Sequence, residues 1–438
     1  MPDPLVRLPD GTVKQVSPLS GTVVWTVPGR AHRPLSGPPE SRQRVDAGDA
    51  DRLCAFCAGR RLETPPEKSR LVLAPDGTPT VLRDVPAEHL DDTVPELRRI
   101  PNLFEILPVD YWRANHGYVV PATVLDRFRS YTATAQGRAH VLAIVRGRLA
   151  AAGVADDEWT RTTEADWLER GLDLFAGSHD VIVARRHVVD GAQLDDELAG
   201  SGTLTRDEHH RYVAFTIEAL RDLYAAQPHA RYVAVFQNWL RPAGASFDHL
   251  HKQLVAIDEH GPEIERESVR LRDDPDLFTS AVVDHAATHR LVIAENDHAI
   301  AVAGVGHRYP AIEVYSTSEH QQPWDHTDDE VRAVSDLLHA VHAATGTHVP
   351  TNEEWHHRPP DVAEPMPWRV VLKWRVSTLA GFEGGTRINV NTIDPATVRD
   401  RVVTELQRLR TAGTIGSMRL GDECSHRLGS LGYARGGR

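Results

Sequence analysis

The sequence predicts an α+β protein in which a helix-then-strand unit occurs twice, and three observations carry that reading. A threonine followed three residues later by a glutamate, the capping box that opens helices, occurs at Thr205 with Glu208 and again at Thr327 with Glu330. Strand-like segments follow both at similar distance, His249 lying 44 residues after Thr205 and Arg369 lying 42 after Thr327. The stretch FDHLHKQLVAI, residues 247–257, alternates polar and apolar residues with the period of a strand.

Taken in chain order, residues 1–50 are rich in proline, glycine and arginine and read as short strands and loops. Residues 106–170 read as a helical insertion, RAHVLAIVRGRLAAAG being its clearest amphipathic piece. The helix from Thr205 carries Val213, Ile217, Leu220 and Tyr224 at helical spacing. That from Thr327 carries Val331, Val334, Leu338 and Val341 and ends at Gly346. A last helix spans about 395–411, with Asp394 as its cap and Pro395 in its first turn. Residues 416–438 read as a tail, its last stretch GSLGYARGGR, 429–438, as mobile. The expected organisation is therefore a first unit at 1–265, a second at 266–415 and the tail.

Composition narrows the function classes. Lysine plus arginine 49 against aspartate plus glutamate 62 gives a net charge of −13, which opposes general attraction to nucleic acid or to an anionic membrane. No apolar run approaches the roughly 20 residues of a membrane helix, and MPDPLVRLPDG lacks a signal peptide's apolar core, so the expected location is the cytoplasm. Three cysteines do not make a secreted disulfide framework.

Two of those cysteines, Cys54 and Cys57, have the two-residue gap with which paired thiolates grip a tetrahedral zinc ion; a redox pair or plain buried cysteines are the alternatives. Cys424 is the sole remaining thiol, so histidines would complete a metal site, with His179, His187 and His249 as candidates. In a strand His249, His251 and Gln253 project to one side and Leu250, Lys252 and Leu254 to the other. The pattern by itself is cheap, since 24 histidines in 438 residues yield about one His-x-His pair by chance.

Several blocks taken together resemble the galactose-1-phosphate uridylyltransferase family of the histidine-triad superfamily. They are SPLSGTVVWTVPGRAHRPL, CAFCAGRRLETPPE, RRIPNLFEIL, GSHDVIVARRH, FQNWLRPAGASFDHLHKQ and AGFEGGTRINVNTIDP, and they arrive in family order over about residues 15–410. The resemblance implies two tandem histidine-triad-like units, pseudo-symmetric, each an antiparallel sheet with helices packed on one face. It implies structural zinc on Cys54, Cys57, His187 and His249, leaving His179 a structural residue. It also implies a nucleophile at His251, with Gln253 donating to a phosphoryl oxygen. Arg30 and Arg33 match diphosphate-binding arginines; Asn102 and Asn238 match positions that contact the nucleoside or orient the nucleophile loop; Gly244 and Ser246 match the loop near the phosphates. Glu383 and Asn389 fall where sugar is recognised. Arg369 and Val371 stand where relatives place a histidine and an acid, which implies that a second-half metal site is lost.

The activity so implied is nucleotidyl transfer between a nucleotide sugar and a sugar 1-phosphate through a covalent nucleotidyl-histidine, a step of galactose or related carbohydrate metabolism. A glutamine at position 253, unlike a histidine, cannot protonate a leaving group, which favours transfer over hydrolysis. The alternatives are an enzyme resembling ADP-glucose phosphorylase, with inorganic phosphate as acceptor, and a non-catalytic zinc-stabilised nucleotide-sugar-binding protein. Relatives are often homodimers.

Overall fold

The computed structural model describes residues 3–28, 42–46, 48–154, 156–377, 380–425 and 431–434. Its strands are β1 (Leu5–Arg7), β2 (Val13–Val16), β3 (Val23–Thr26), β4 (Ser69–Leu73), β5 (Pro79–Arg83), β6 (Leu97–Pro101), β7 (His179–Ala184) and β8 (Tyr232–Trp239). They continue as β9 (His251–Ile257), β10 (Val292–Glu295), β11 (Ala299–Ala303), β12 (Ala311–Ser316), β13 (Thr351–His356), β14 (Arg369–Trp374), β15 (Ile388–Asn391) and β16 (Arg419–Leu420).

The three helices expected from their caps are present. Thr205 and Glu208 exchange both bonds of a capping box at the head of the helix Arg206–Ala226, as do Thr327 and Glu330 at the head of Asp328–Thr345. Asp394 Oδ1 accepts the Thr397 amide at 2.8 Å and opens the helix Pro395–Thr411. Each cap satisfies backbone N–H groups that a helix's first turn leaves without partners. The insertion is helical, with Val109–His116, Ala122–Ala133, Ala135–Ala151, Asp156–Arg161, Glu164–Gly171 and Asp173–Ala176.

Twelve strands form one sheet, ordered β16-β10-β11-β12-β14-β13-β8-β9-β7-β6-β4-β5, with every pair antiparallel. Antiparallel pairing of β8 with β13 joins the two halves of the chain. Outward from that midline the order is β8, β9, β7, β6, β4 on one side and β13, β14, β12, β11, β10 on the other. In each half the capped helix immediately precedes the two innermost strands. The core is continuous across the midline, with Val213 and Leu220 of one helix and Leu337 and Val341 of the other fully buried in it. Burying that apolar surface at roughly 25 cal/mol per Å² is what holds helices to sheet.

Four expectations need correction. The small sheet β1-β2-β3-β15 contains a parallel pair, β3 with β15, so residues of the expected first unit pair with a strand of the second. Helices also cover both faces of the large sheet. Lys252 lies over the Tyr212 ring of Arg206–Ala226, and Glu353, its ion-pair partner, accepts from His342 of Asp328–Thr345, which fixes the face that both long helices cover. Leu372 is paired with Glu353 and shares that face, so Arg369, Val371 and Lys373 project from the opposite one; there Arg369 meets Glu267 of the helix Pro262–Asp273. The segment from 416 is not a free tail: β16 pairs with β10, and Tyr433 is buried with its hydroxyl donating to the Pro275 carbonyl at 3.0 Å. Finally, β9 begins at His251, so His249 lies in the bend before it rather than in the strand. Among the described residues no helix is long and apolar enough to cross a membrane.

Candidate active site

Cys54, Cys57, His187 and His249 converge, their ligand atoms all within 4.8 Å of one another. The Sγ atoms stand 3.7 Å apart, Cys54 Sγ to His249 Nδ1 is 3.6 Å, Cys57 Sγ to His187 Nδ1 is 3.6 Å and Cys57 Sγ to His249 Nδ1 is 3.7 Å. A zinc tetrahedron with Zn–S of about 2.3 Å and Zn–N of about 2.05 Å has S···S edges of about 3.8 Å and S···N edges of about 3.6 Å. The donor set therefore fits zinc in chemistry and in spacing. The Ala184 carbonyl accepts from His249 Nε2 at 2.7 Å, fixing the tautomer that turns Nδ1 to the thiols. His179 stands outside the cluster, as expected. Asp3, His285 and His289 form a second, more open trio of possible ligands at the surface.

Two residues beyond His249, the buried His251 donates Nδ1–H to the His249 carbonyl at 2.7 Å. That bond leaves Nε2 as the ring nitrogen with a free lone pair. Burial pushes its pKa down to about 4, against a smaller upward effect of the carbonyl bond, so the ring is neutral at pH 7. Phe56, between the two cysteines, packs edge-on against it with ring centroids 5.2 Å apart. One CxxC turn thus supplies two members of the cluster and a ring packed against His251.

Two carboxamides flank His251, and their orientations follow from partners that can only donate or only accept. Asn102 Oδ1 accepts the Phe104 amide at 2.9 Å, so its Nδ2 donates to Gln253 Oε1 at 3.3 Å. His179 Nε2 lies 3.0 Å from the same Gln253 oxygen and 3.0 Å from Asn102 Nδ2. The oxygen end of Gln253 is thereby occupied, and its NH2 has no hydrogen-bond partner among the described residues.

The other side repeats the logic. Arg375 Nη1, a pure donor, is 2.6 Å from Asn352 Oδ1, so Asn352 Nδ2 donates to the Ala243 carbonyl at 2.8 Å and to Asn238 Oδ1 at 2.7 Å. The NH2 of Asn238 likewise has no hydrogen-bond partner among the described residues. Phe236 pairs with Gln253, and two residues along each antiparallel strand Asn238 stands level with His251. Both carboxamides therefore project from the same face of the sheet as His251.

The loop between β8 and β9 turns through Gly244, whose φ of +92° suits glycine, and leaves Ser246 exposed. Ser246 and Arg241 line a cleft of about 920 Å³ together with Arg44, Arg60 and the zinc-cluster residues Cys54 and His187. A cleft of that size is in the range that holds a nucleotide sugar. His251 and Gln253 do not line it. Glu383 and Asn389 are not brought to the nucleophile; both line a different cleft, over β14, where Asn389 Nδ2 donates to the Val23 carbonyl at 3.3 Å. Arg30 and Arg33 lie outside the described residues. Arg369, at the position expected of a lost metal ligand, is buried in an ion pair with Glu267 at 2.5 Å.

Sequence reasoning missed Phe56, the role of Asn352 with Arg375, and the fully buried pair of Lys252 and Glu353 behind the nucleophile strand. The alternation at 251–253 was the available signal for Lys252, which had to enter the core opposite two catalytic candidates. No local signal marked Arg375.

The family described as "Domain of unknown function (DUF4921)" matches residues 8–433. An ADP-glucose phosphorylase from Arabidopsis thaliana is 30% identical over 179 residues, 38% of this chain and 50% of that protein, so the chain matches about half the length of this curated relative. Among solved structures, an ADP-glucose phosphorylase from Arabidopsis thaliana with bound ADP-glucose aligns with TM-score 0.55 and 18% identity, covering 89% of this chain and 97% of that one. A GalT-like protein from the same organism aligns with the same figures. The chain shares the fold of these GalT-like proteins, as its sequence blocks implied.

Proposed function

The chain belongs to the DUF4921 family, and from its fold and site we propose that it is a nucleotidyltransferase acting on nucleotide sugars through His251. The observation that carries the reading is a neutral, buried imidazole with Nδ1 tied to a carbonyl, Nε2 free, and an anchored carboxamide on either side. Nε2 attacks the α-phosphorus of the nucleotide sugar, the bond from that phosphorus to the bridging oxygen breaks, and the sugar 1-phosphate leaves with the electron pair. The nucleoside monophosphate stays on His251 as a phosphoramidate until a second sugar 1-phosphate attacks the same phosphorus and restores the imidazole. The free NH2 groups of Gln253 and Asn238 donate to the phosphoryl oxygens, whose charge grows in the transition state. Neither can give a proton to the leaving group, and a sugar phosphate needs none.

Arg30 and Arg33 are assigned to the diphosphate, which suits the forked guanidinium. Gly244 and Ser246 are assigned to the phosphates from the loop side. Asn102 acts here through Gln253. Cys54, Cys57, His187 and His249 would hold zinc, which would fix the loop carrying Phe56 against the nucleophile. The matching strand order of the two halves supports two tandem histidine-triad-like units.

A second reading has its own support: the relative 30% identical over 179 residues is an ADP-glucose phosphorylase, and a structure with the same fold holds ADP-glucose. In that case inorganic phosphate takes the nucleotidyl group. Intact-protein mass spectrometry with uridine, adenosine and guanosine diphosphate sugars, quenched at alkaline pH, tests both readings. A gain of one nucleoside monophosphate, absent in His251→Gly, is expected; release of the adduct by phosphate or by galactose 1-phosphate then names the acceptor. No gain with any donor would move the assignment to a binding protein.

A further inference from the structure

We propose that Asp3, His285 and His289 form a second metal site, an open one that takes an exchangeable divalent ion of the zinc type and clamps the start of the chain to its second half. His285 and His289 are four residues apart, the spacing that brings side chains together on one helix face, and their rings stack with centroids 4.2 Å apart. They sit on the turn His285–Thr288 and just after it, where it continues a π-helical stretch, Thr279–Asp284, a form that is rare and frequent at functional sites. Asp3 lies across the pair, its Oδ1 being 3.5 Å from His285 Nε2 and 3.9 Å from His289 Nε2. Both separations exceed the roughly 2.7–3.2 Å of an N–H···O hydrogen bond. The N···O edge of a zinc tetrahedron is about 3.4 Å, so the first is nearly there and a small rotation of the exposed carboxylate closes the second. His285 Nε2 is buried with no hydrogen-bond partner among the described residues, an unsatisfied atom that a metal bond would satisfy. The Leu5 amide donates to Asp3 Oδ1 at 3.0 Å and holds the carboxylate over the rings. Arg290, next to His289 in the chain, is paired with Asp422 at 2.8 Å, so its charge is taken up there.

The donor set specifies the ion. Two imidazoles and one carboxylate suit zinc, nickel, cobalt or copper, whereas calcium and magnesium take oxygen ligands. Three protein ligands leave coordination positions for water, and the side chains of Asp3 and His289 are 51% and 32% exposed, so the ion can come and go. The quartet of Cys54, Cys57, His187 and His249 is closed by comparison, with two thiols and three of its four residues buried. Occupancy of the open trio has a structural consequence. β1 follows Asp3 directly; it is an edge strand of three residues, paired with β2 alone in its sheet. An ion on the trio fastens that short strand to the helical segment that leads into β10.

Equilibrium dialysis of the untagged full chain against micromolar free zinc, followed by metal analysis, tests the site in wild type, His289→Ala and Asp3→Asn. Asp3→Asn keeps an oxygen for the Leu5 amide and removes the charge. Wild type is expected to take up one more equivalent of zinc than His289→Ala, and both variants to bind that equivalent at least tenfold more weakly. Zinc should also slow amide hydrogen exchange across residues 5–7 in wild type and leave it unchanged in His289→Ala, while millimolar magnesium or calcium slows it in neither. The count is a difference between wild type and variant, so it stands whether or not the cysteine cluster holds zinc and whether or not His251 carries a nucleotidyl group. Equal zinc content in wild type and His289→Ala, or uptake that needs millimolar zinc, would mean adventitious binding only and overturn the site. Uptake weakened by His289→Ala and untouched by Asp3→Asn would reduce it to a histidine pair and overturn the clamp.

Discussion

Asn352 donates to Asn238 Oδ1 at 2.7 Å across the midline of the sheet, and the same NH2 donates to the Ala243 carbonyl in the loop that leads to His251. A residue of the second half thereby sets both a carboxamide level with His251 and the path of the loop that leads to His251. The half without His251 is part of the scaffold around it.

Replacing Asn352 with alanine frees Asn238 to rotate and strands the Ala243 carbonyl. Adduct formation by Asn352→Ala is expected to slow tenfold or more, about 1.4 kcal/mol of transition-state stabilisation, with zinc content unchanged. Stopped-flow quench and metal analysis on one preparation check both parts. Loss of zinc together with rate would mean that the bond holds the fold rather than the loop.

The acid limb of the pH profile follows from His251, whose pKa burial lowers to about 4 from 6.5. Protonation consumes the attacking lone pair, so single-turnover adduct formation should stay level as pH falls through 6.5 and drop near 4. Linkage has the same sign: between pH 4 and 6.5 the unfolded chain binds the proton that the folded chain refuses, so this residue removes stability as pH falls through that window. Denaturant titrations of wild type and His251→Gly over those pH values measure the difference, which should stop changing with pH above 6.5.

One zinc per chain is expected from elemental analysis of freshly purified protein. Cys57→Ala should lose it and melt several degrees lower, because the cluster ties the loop at 54–57 to β7 and the bend before β9. Metal-free wild type with an unchanged melting temperature would remove zinc from the account.

Lys252 and Glu353 are fully buried, and Glu353 also accepts from His342 and from Trp355 Nε1. Lys252→Met leaves that carboxylate without its cation and should cost about 3–5 kcal/mol in urea denaturation. Adding Glu353→Gln should recover part of that loss, since the uncompensated charge is gone; a double variant no better than the single one would show that packing rather than charge is at stake.

Much of this was written locally in the chain. Thr205 with Glu208, Thr327 with Glu330, and Asp394 with Pro395 each open the helix they announce, because a cap is satisfied within four residues and needs no distant partner. The quartet of Cys54, Cys57, His187 and His249 was nameable through the family blocks, and the structure brings the four together. Two neighbours of His251 were less legible: Phe56 reads as a filler between cysteines, and Arg375 as an ordinary charge.

By itself, then, the sequence determined the helices with their caps, matters of residue type at short spacing, while His251 as nucleophile and the four metal ligands are what its resemblance to a family implied. Only the tertiary structure decided that β8 pairs with β13 so that the two halves share one sheet, that residues 5–26 and Tyr433 belong to the packing of the second half, and that Glu383 and Asn389 face a different cleft from His251. Those outcomes depend on which strand edge meets which and on which face a strand turns to a helix. Both are settled by burial and hydrogen bonding between residues more than a hundred positions apart, a distance at which local pattern carries no information.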